Sequence, residues 1–233
     1  ENAMYMPEIP FGGKFYYEYI DLTSFAEHFL FTELTNNVDG YRISSYLFKD
    51  KDSNGGLIHA GPVWDYNLGF GNADYCGGDT EEGWIYNGDC SPTNPFWWDN
   101  MRDDVNFQNA VKCRWEELRA GPFSLTAINE IIDEKALELE PVVDRNFQRW
   151  PIIDEYVWPN PVVTGSYAGE INYLKLVIAD RIGWLDEFIF GECIVVTDVS
   201  NVNIDDEITI YPNPFSETIN VSINKSPVDA ELK

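Results

Sequence analysis

Apolar and polar positions along the chain follow two rhythms separated by turn-rich stretches. Leu22, Phe25, Ala26, Phe29, Leu30 and Leu34 recur at helical spacing behind Asp21, a residue suited to an N-cap. They predict a helix that delivers the chain directly to Asn37 and Asp39. Residues 43–49 are then rich in β-branched and aromatic side chains, 50–56 (DKDSNGG) carry dense turn chemistry, and 57–63 resume an apolar run. That succession predicts a hairpin. Residues 69–95 are punctuated by glycine and predict a long loop. Helical spacing returns at Phe107, Ala110, Val111, Trp115 and Leu118, closed by Gly121-Pro122. Ser124 opens a longer pattern through Ile128, Ile131, Ile132, Leu137 and Leu139 toward Trp150, with Pro141 expected to kink it. A last helix is expected over 167–190, carrying Ile171, Leu174, Val177, Ile178, Ile182 and Leu185. Residues 1–20, aromatic and broken by Gly and Pro, predict an irregular or β-like lead-in. The sum is an α+β fold over residues 1–193, one small sheet beside several helices. A short polar linker is expected over 194–207 and a β-rich segment over 208–233, where Ile219, Val221 and Ile223 alternate with polar residues.

Composition narrows the function classes. The 233 residues are 44% hydrophobic and 15% aromatic, enough to bury a core and to exclude global disorder. A formal charge of −25 repels nucleic acid and anionic membrane surfaces, so neither is an expected partner. No apolar run approaches the ~20 residues a membrane helix needs. The chain opens at Glu1 without Met and stops at Lys233 inside an unfinished β-rich stretch, so a fragment is expected.

Asp39 stands just before the first arm of the hairpin and Asp65 just after the second. A hairpin brings its ends together, so two carboxylates, with Asn37 and Asn67 beside them, emerge at one end of the sheet. Such a pair can share a divalent cation or divide acid–base work. The competing reading has Asp39 capping a turn and Asp65 a helix. Other motifs are weaker. Gly12-Gly13-Lys14 lacks P-loop spacing, and the turn at 50–55 imitates half a calcium loop but would place Gly61 where a bidentate Glu belongs. His28 and His59 have no Cys or second His nearby in sequence and are expected to be packed or hydrogen-bonded rather than ligands.

The run N-x-D-G-Y-R-x-S-x-Y-x-x-K-D from Asn37, followed by G-P-V-W-D-Y-N-x-x-F-G from Gly61, resembles the core of the CotH family of secreted atypical protein kinases. The likeness continues through GNADYC, the FWW at 96–98, CRWEELR at 113–119 and RNFQRW at 145–150, and ends near WLDEF at 184–188. It implies the C-terminal lobe of a protein-kinase-like fold and phosphotransfer from ATP, with Mg2+ or Mn2+, to protein hydroxyl groups. By this resemblance Asp39 is similar to the catalytic base, Asn37 and Ser44 lie on the cofactor side, and Asp65 and Asn67 hold the metal. Ser44 stands where many members carry Asn, and Asn67 replaces the second acid of W-D-x-D. No Gly-rich nucleotide loop or Lys–Glu phosphate clamp is legible; both are expected upstream of Glu1, leaving this chain inactive alone. The departures at Ser44 and Asn67 support an alternative, a non-catalytic cell-surface or adhesion protein on the same scaffold. A carboxylate-pair hydrolase acting on polysaccharide is a third chemistry.

The segment Y-P-N-P-F at 211–215 resembles the start of a C-terminal sorting domain read by the type IX secretion machinery, implying a secreted or cell-surface protein with a protein substrate or surface partner. In that setting the four cysteines are expected to be oxidised. Three pairings are open; Cys76 with Cys90 would close the Gly-rich loop and leave Cys113 with Cys193.

Overall fold

The computed structural model describes residues 1–193 and the strand residues 208–211 and 220–223. The chain divides into two units, Glu1–Ile194 and Val195–Lys233. The first is built on helix α2 (Leu22–Thr35), which the Asp21 carboxylate caps by accepting the Ser24 N–H at 2.7 Å. Phe25, Ala26, Phe29 and Leu30 are buried along α2. Phe29 sits at the middle of an aromatic nest of Tyr41, Trp84, Tyr86, Phe107 and Phe190, with ring centroids 5.5–6.1 Å away. Full burial of each such side chain contributes roughly 1.5–3 kcal/mol, so the helix is held by packing more than by propensity.

Before α2 the chain forms a short helix α1 (Asn2–Tyr5) and a 3-10 turn at Tyr16–Glu18, linked by an isolated bridge between Phe11 and Lys14. The lead-in is therefore irregular with helical turns rather than β-like. Beyond the glycine-rich loop come α3 (Trp97–Asp103), α4 (Val105–Arg119), α5 (Leu125–Arg149) and α6 (Tyr167–Phe188). Each of the last three starts on a side-chain cap: Asp104 for Asn106 and Phe107, Ser124 for Ala127, Ser166 for Gly169. Pro141 is carried inside α5, which continues to Arg149. Helix α5 buries less than its pattern predicts, with none of its residues fully buried. Ile128 and Ile132 pack on the core, whereas Ile131, Leu137 and Leu139 are exposed, because α6 covers only one stripe of α5.

The hairpin is present but shorter than expected. Strands β1 (Leu47–Lys49) and β2 (Ile58–Ala60) pair antiparallel, with Phe48 opposite His59. Residues 43–45 leave the strand because the N–H groups of Arg42, Ile43 and Ser44 all turn back onto the Asp39 carbonyl. On the other arm Pro62 has no N–H to offer a ladder. The 50–56 link is a plain turn, a 3-10 segment at Asp52–Asn54 ending on Gly55 at φ 95°. Disulfides join Cys76 to Cys90 and Cys113 to Cys193. Among the described residues no helix is long and apolar enough to cross a membrane.

In the second unit β3 (Ile208–Tyr211) pairs antiparallel with β4 (Asn220–Ile223). The expected linker at 194–207 and the Pro212–Phe215 part of the sorting motif lie outside the described residues.

Candidate functional site

Helix α2 ends on Asn36, whose left-handed backbone (φ 53°) closes the helix and turns the chain into Asn37. Asn36 is anchored from the disulfide-closed loop, its Nδ2 donating to the carbonyls of Gly77 at 2.7 Å and Thr80 at 2.8 Å. Asn37 is fully buried, and its Oδ1 accepts the Asp39 N–H at 3.1 Å. Among the described residues its Nδ2 has no partner, which leaves a buried donor beside Asp39. The Asp39 carboxylate is held by Arg42 at 3.3 Å.

Two clamps fix the residues that follow. His28 donates from Nε2 to the Gly40 carbonyl at 2.8 Å while its ring stacks on Trp98 at 5.4 Å. Tyr41 donates to Glu33 Oε1 at 2.8 Å. Burial holds His28 below the usual imidazole range, opposed by the Gly40 carbonyl, and the ring braces the turn through that hydrogen bond. His59 is likewise packed, stacked on Phe48 at 5.0 Å. As pH falls below about 6.5 the unfolded chain takes up a proton that folded His28 refuses, and its contribution to stability is lost. The wild type's advantage in Tm over His28→Gln is therefore expected to be largest at neutral pH and to shrink toward pH 5, measured by differential scanning calorimetry.

Asp65 and Asn67 are exposed on the second arm, and Asp65 adopts a left-handed backbone at φ 58°. A non-glycine residue in that region stores strain that local contacts must hold. Ser44 supplies one such contact. It is buried, its N–H donates to the Asp39 carbonyl at 2.9 Å, and its hydroxyl donates to the Asp65 carbonyl at 3.3 Å. The backbones of Asp39 and Asp65 are thus each one hydrogen bond from Ser44. Asn67 accepts the Asn72 side chain on its own carbonyl at 2.7 Å. Among the described residues no group of three or more His, Cys, Asp or Glu side chains has metal-holding geometry.

Beneath the site lies a feature invisible to motif reading. Glu33 and Arg181 form an ion pair at 3.0 Å with side-chain exposures of 0% and 1%. Arg181 also donates to the carbonyls of Glu33, Glu81 and Gly83 and lies 4.8 Å from the Trp184 ring. Glu33 accepts Tyr41 O–H and the N–H groups of Ile85 and Tyr86. Burial pushes the Glu33 carboxyl up, and Arg181 and these donors oppose it. The pair joins α2, α6, the 81–86 loop and the Asp39 turn at one point. A trace existed in the sequence: Glu33 is the lone charge in the apolar helical run FLFTEL, and Arg181, beside Asp180, interrupts the apolar run LVIADRIGWL.

Among the described residues of the first unit, six helices and a small two-stranded antiparallel hairpin define an α+β unit compatible with a kinase-like lobe. A family model described as CotH kinase protein matches residues 13–185. The chain belongs to the CotH kinase family. No curated protein and no solved structure gives a significant match. The two disulfides are compatible with a secreted or surface protein.

Proposed function

We propose that this chain is the aspartate-bearing part of a secreted kinase that transfers phosphate from ATP to protein hydroxyl groups with Mg2+ or Mn2+. The observation that carries the reading is the Ser44 link between the Asp39 and Asp65 backbones, inside the span that matches the family. In this reading Asp39 accepts the proton of the acceptor hydroxyl. Arg42 holds it in orientation, and the buried Asn37 donor steadies the cofactor side of the turn.

The donor set suits a hard cation. Asp65 offers a carboxylate and Asn67 an amide oxygen, both exposed, and Mg2+ needs only one or two carboxylates besides waters and phosphate oxygens. When bound, the ion would neutralise charge on the nucleotide phosphates. In this reading Ser44 also bridges the two aspartates. Its hydroxyl is turned to the Asp65 carbonyl, so it acts as a spacer between the two aspartates.

That same contact supports a second reading, a non-catalytic surface scaffold, because it removes Ser44 from the metal shell and Asn67 is a weaker ligand than a carboxylate. Mn2+ binding to the full-length protein, followed by electron paramagnetic resonance with and without ATP, separates the two. The kinase reading expects Asp65→Asn to weaken Mn2+ binding by about tenfold or more and Asp39→Asn to leave it unchanged while removing phosphotransfer. Wild-type protein that binds neither Mn2+ nor ATP leaves the scaffold reading standing.

A further inference from the structure

The segment that leaves the candidate site, residues 67–75, is tied at Asp74 and Tyr75 to residues 156–159. Asp74 donates its N–H to the Pro159 carbonyl at 3.0 Å, and Tyr156 donates its hydroxyl to Asp74 Oδ2 at 2.7 Å. The Tyr75 ring stacks on Trp158 with centroids 6.0 Å apart and planes 16° from parallel. Trp158 nevertheless remains 67% exposed, so its ring is a surface platform rather than core. At the other end of the same two segments a cleft of about 390 Å3 opens between them and α6. Asn67, Asn72, Asn160, Glu170 and Tyr173 line it.

The chemistry of that lining is specific. Three amides, a phenol and a carboxylate each offer donors or acceptors, and among the described residues no Lys or Arg lines the cleft. Glu170 is fixed by the Thr164 hydroxyl at 2.6 Å, and the Tyr173 hydroxyl makes no hydrogen bond among the described residues. An anionic ligand would meet Glu170 with no cation to offset it. An apolar ligand would strip water from the amides and return no hydrogen bonds, at about 1–3 kcal/mol for each group left unpaired. A basic peptide would find a single carboxylate in the cleft, Glu170, with one oxygen already accepting Thr164, and it is the competing occupant that oligolysine tests. A neutral polyhydroxylated molecule fits, because every hydroxyl both donates and accepts. Its flat C–H face also suits an exposed indole, which is an apolar surface with a polar edge.

We propose that the cleft and the Trp158 platform together form a binding groove for a neutral oligosaccharide. One sugar unit hydrogen-bonds to Asn72, Asn160 and Tyr173 in the cleft, and a neighbouring unit lies on Trp158. The groove shares Asn67 with the candidate site but needs neither metal nor nucleotide, so it stands whether or not the chain transfers phosphate.

The test titrates the protein, in EDTA, with maltohexaose, cellohexaose, xylohexaose, mannohexaose and chitohexaose, read by calorimetry and tryptophan fluorescence. Polygalacturonate and oligolysine serve as charged controls. At least one neutral hexasaccharide is expected to bind and to quench emission. Trp158→Ala is expected to weaken that binding by about tenfold. Tyr173→Phe, which keeps the ring and deletes the hydroxyl, is expected to weaken it several-fold. Lys135→Gln, on the exposed side of α5 and outside the groove, is expected to bind as the wild type does. Melting temperatures within a few degrees of wild type establish that the variants fold. The proposal is overturned if no neutral hexasaccharide binds at millimolar concentration. It is equally overturned if binding survives both groove variants unchanged, or if oligolysine is the ligand that Trp158→Ala releases.

Discussion

Arg181→Met is expected to destabilise the protein by about 3–5 kcal/mol, because it leaves the Glu33 carboxylate buried without its counter-charge. At about 2–4 °C per kcal/mol for a domain of this size, Tm falls by roughly 6–20 °C. The pair is fully enclosed, with Glu33 and Arg181 at 0% and 1% side-chain exposure, so solvent offers no screening. Replacing both partners by methionine is expected to recover only part of the loss. The Ile85 and Tyr86 N–H groups and the Tyr41 hydroxyl would then lose their acceptor, at about 1–3 kcal/mol for each that finds no water. Glu33→Gln removes the charge and one acceptor: its amide oxygen can still accept Tyr41 and Tyr86, while its NH2 faces the Ile85 N–H and Arg181, so an intermediate loss is expected. Chemical denaturation of the four proteins measures all of this. Equal stability of wild type and Arg181→Met would show that the pair is not a keystone of the fold. The same variants reach the candidate site, because Tyr41 follows Asp39 by two residues and its hydroxyl would be released.

The Cys113–Cys193 bridge is the second large term. It spans 80 positions and ties α4 to the segment after α6, whereas Cys76–Cys90 spans 14. In the chain-entropy account the longer loop contributes on the order of 4–5 kcal/mol and the shorter about 3 kcal/mol. A Cys113→Ser, Cys193→Ser double variant is therefore expected to melt lower than its Cys76→Ser, Cys90→Ser counterpart. The native packing around the longer bridge favours the same order. Gly191, at φ 92°, brings its backbone so close to α4 that a Cβ would strike the Gln108 carbonyl, and Glu192 donates its N–H to Asn109 Oδ1 at 3.0 Å. Removing the bridge frees a segment that must find this contact unaided. Calorimetry on both double variants, with free-thiol titration of the wild type as control, decides it. Four reactive thiols in unreduced protein, or the reverse order of melting, would contradict the account.

Local pattern determined a good deal of this protein. Asp21 and Ser124 could be read as helix starts because a short polar side chain before an apolar period has one economical use, to accept the first orphan N–H groups. The hairpin was legible from β-branched runs around DKDSNGG, and the aspartates at its two mouths followed from connectivity alone. The motif spacing of Asn37–Asp50 and Gly61–Gly71 carried the family, which the match over 13–185 supports. Other features lay beyond any local reading. The strand boundaries contracted because three N–H groups compete for one Asp39 carbonyl, a choice made by the turn and not by β propensity. The exposed face of α5 depends on α6 covering a single stripe, which helical periodicity does not encode. Ser44 became a spacer only when the second arm placed the Asp65 carbonyl within reach of its hydroxyl. Glu33 and Arg181 are 148 positions apart, and their pairing exists because the low-dielectric interior penalises either charge alone and tertiary packing brings them together. Sequence sets which groups need a partner; only the folded chain decides which partner each one meets.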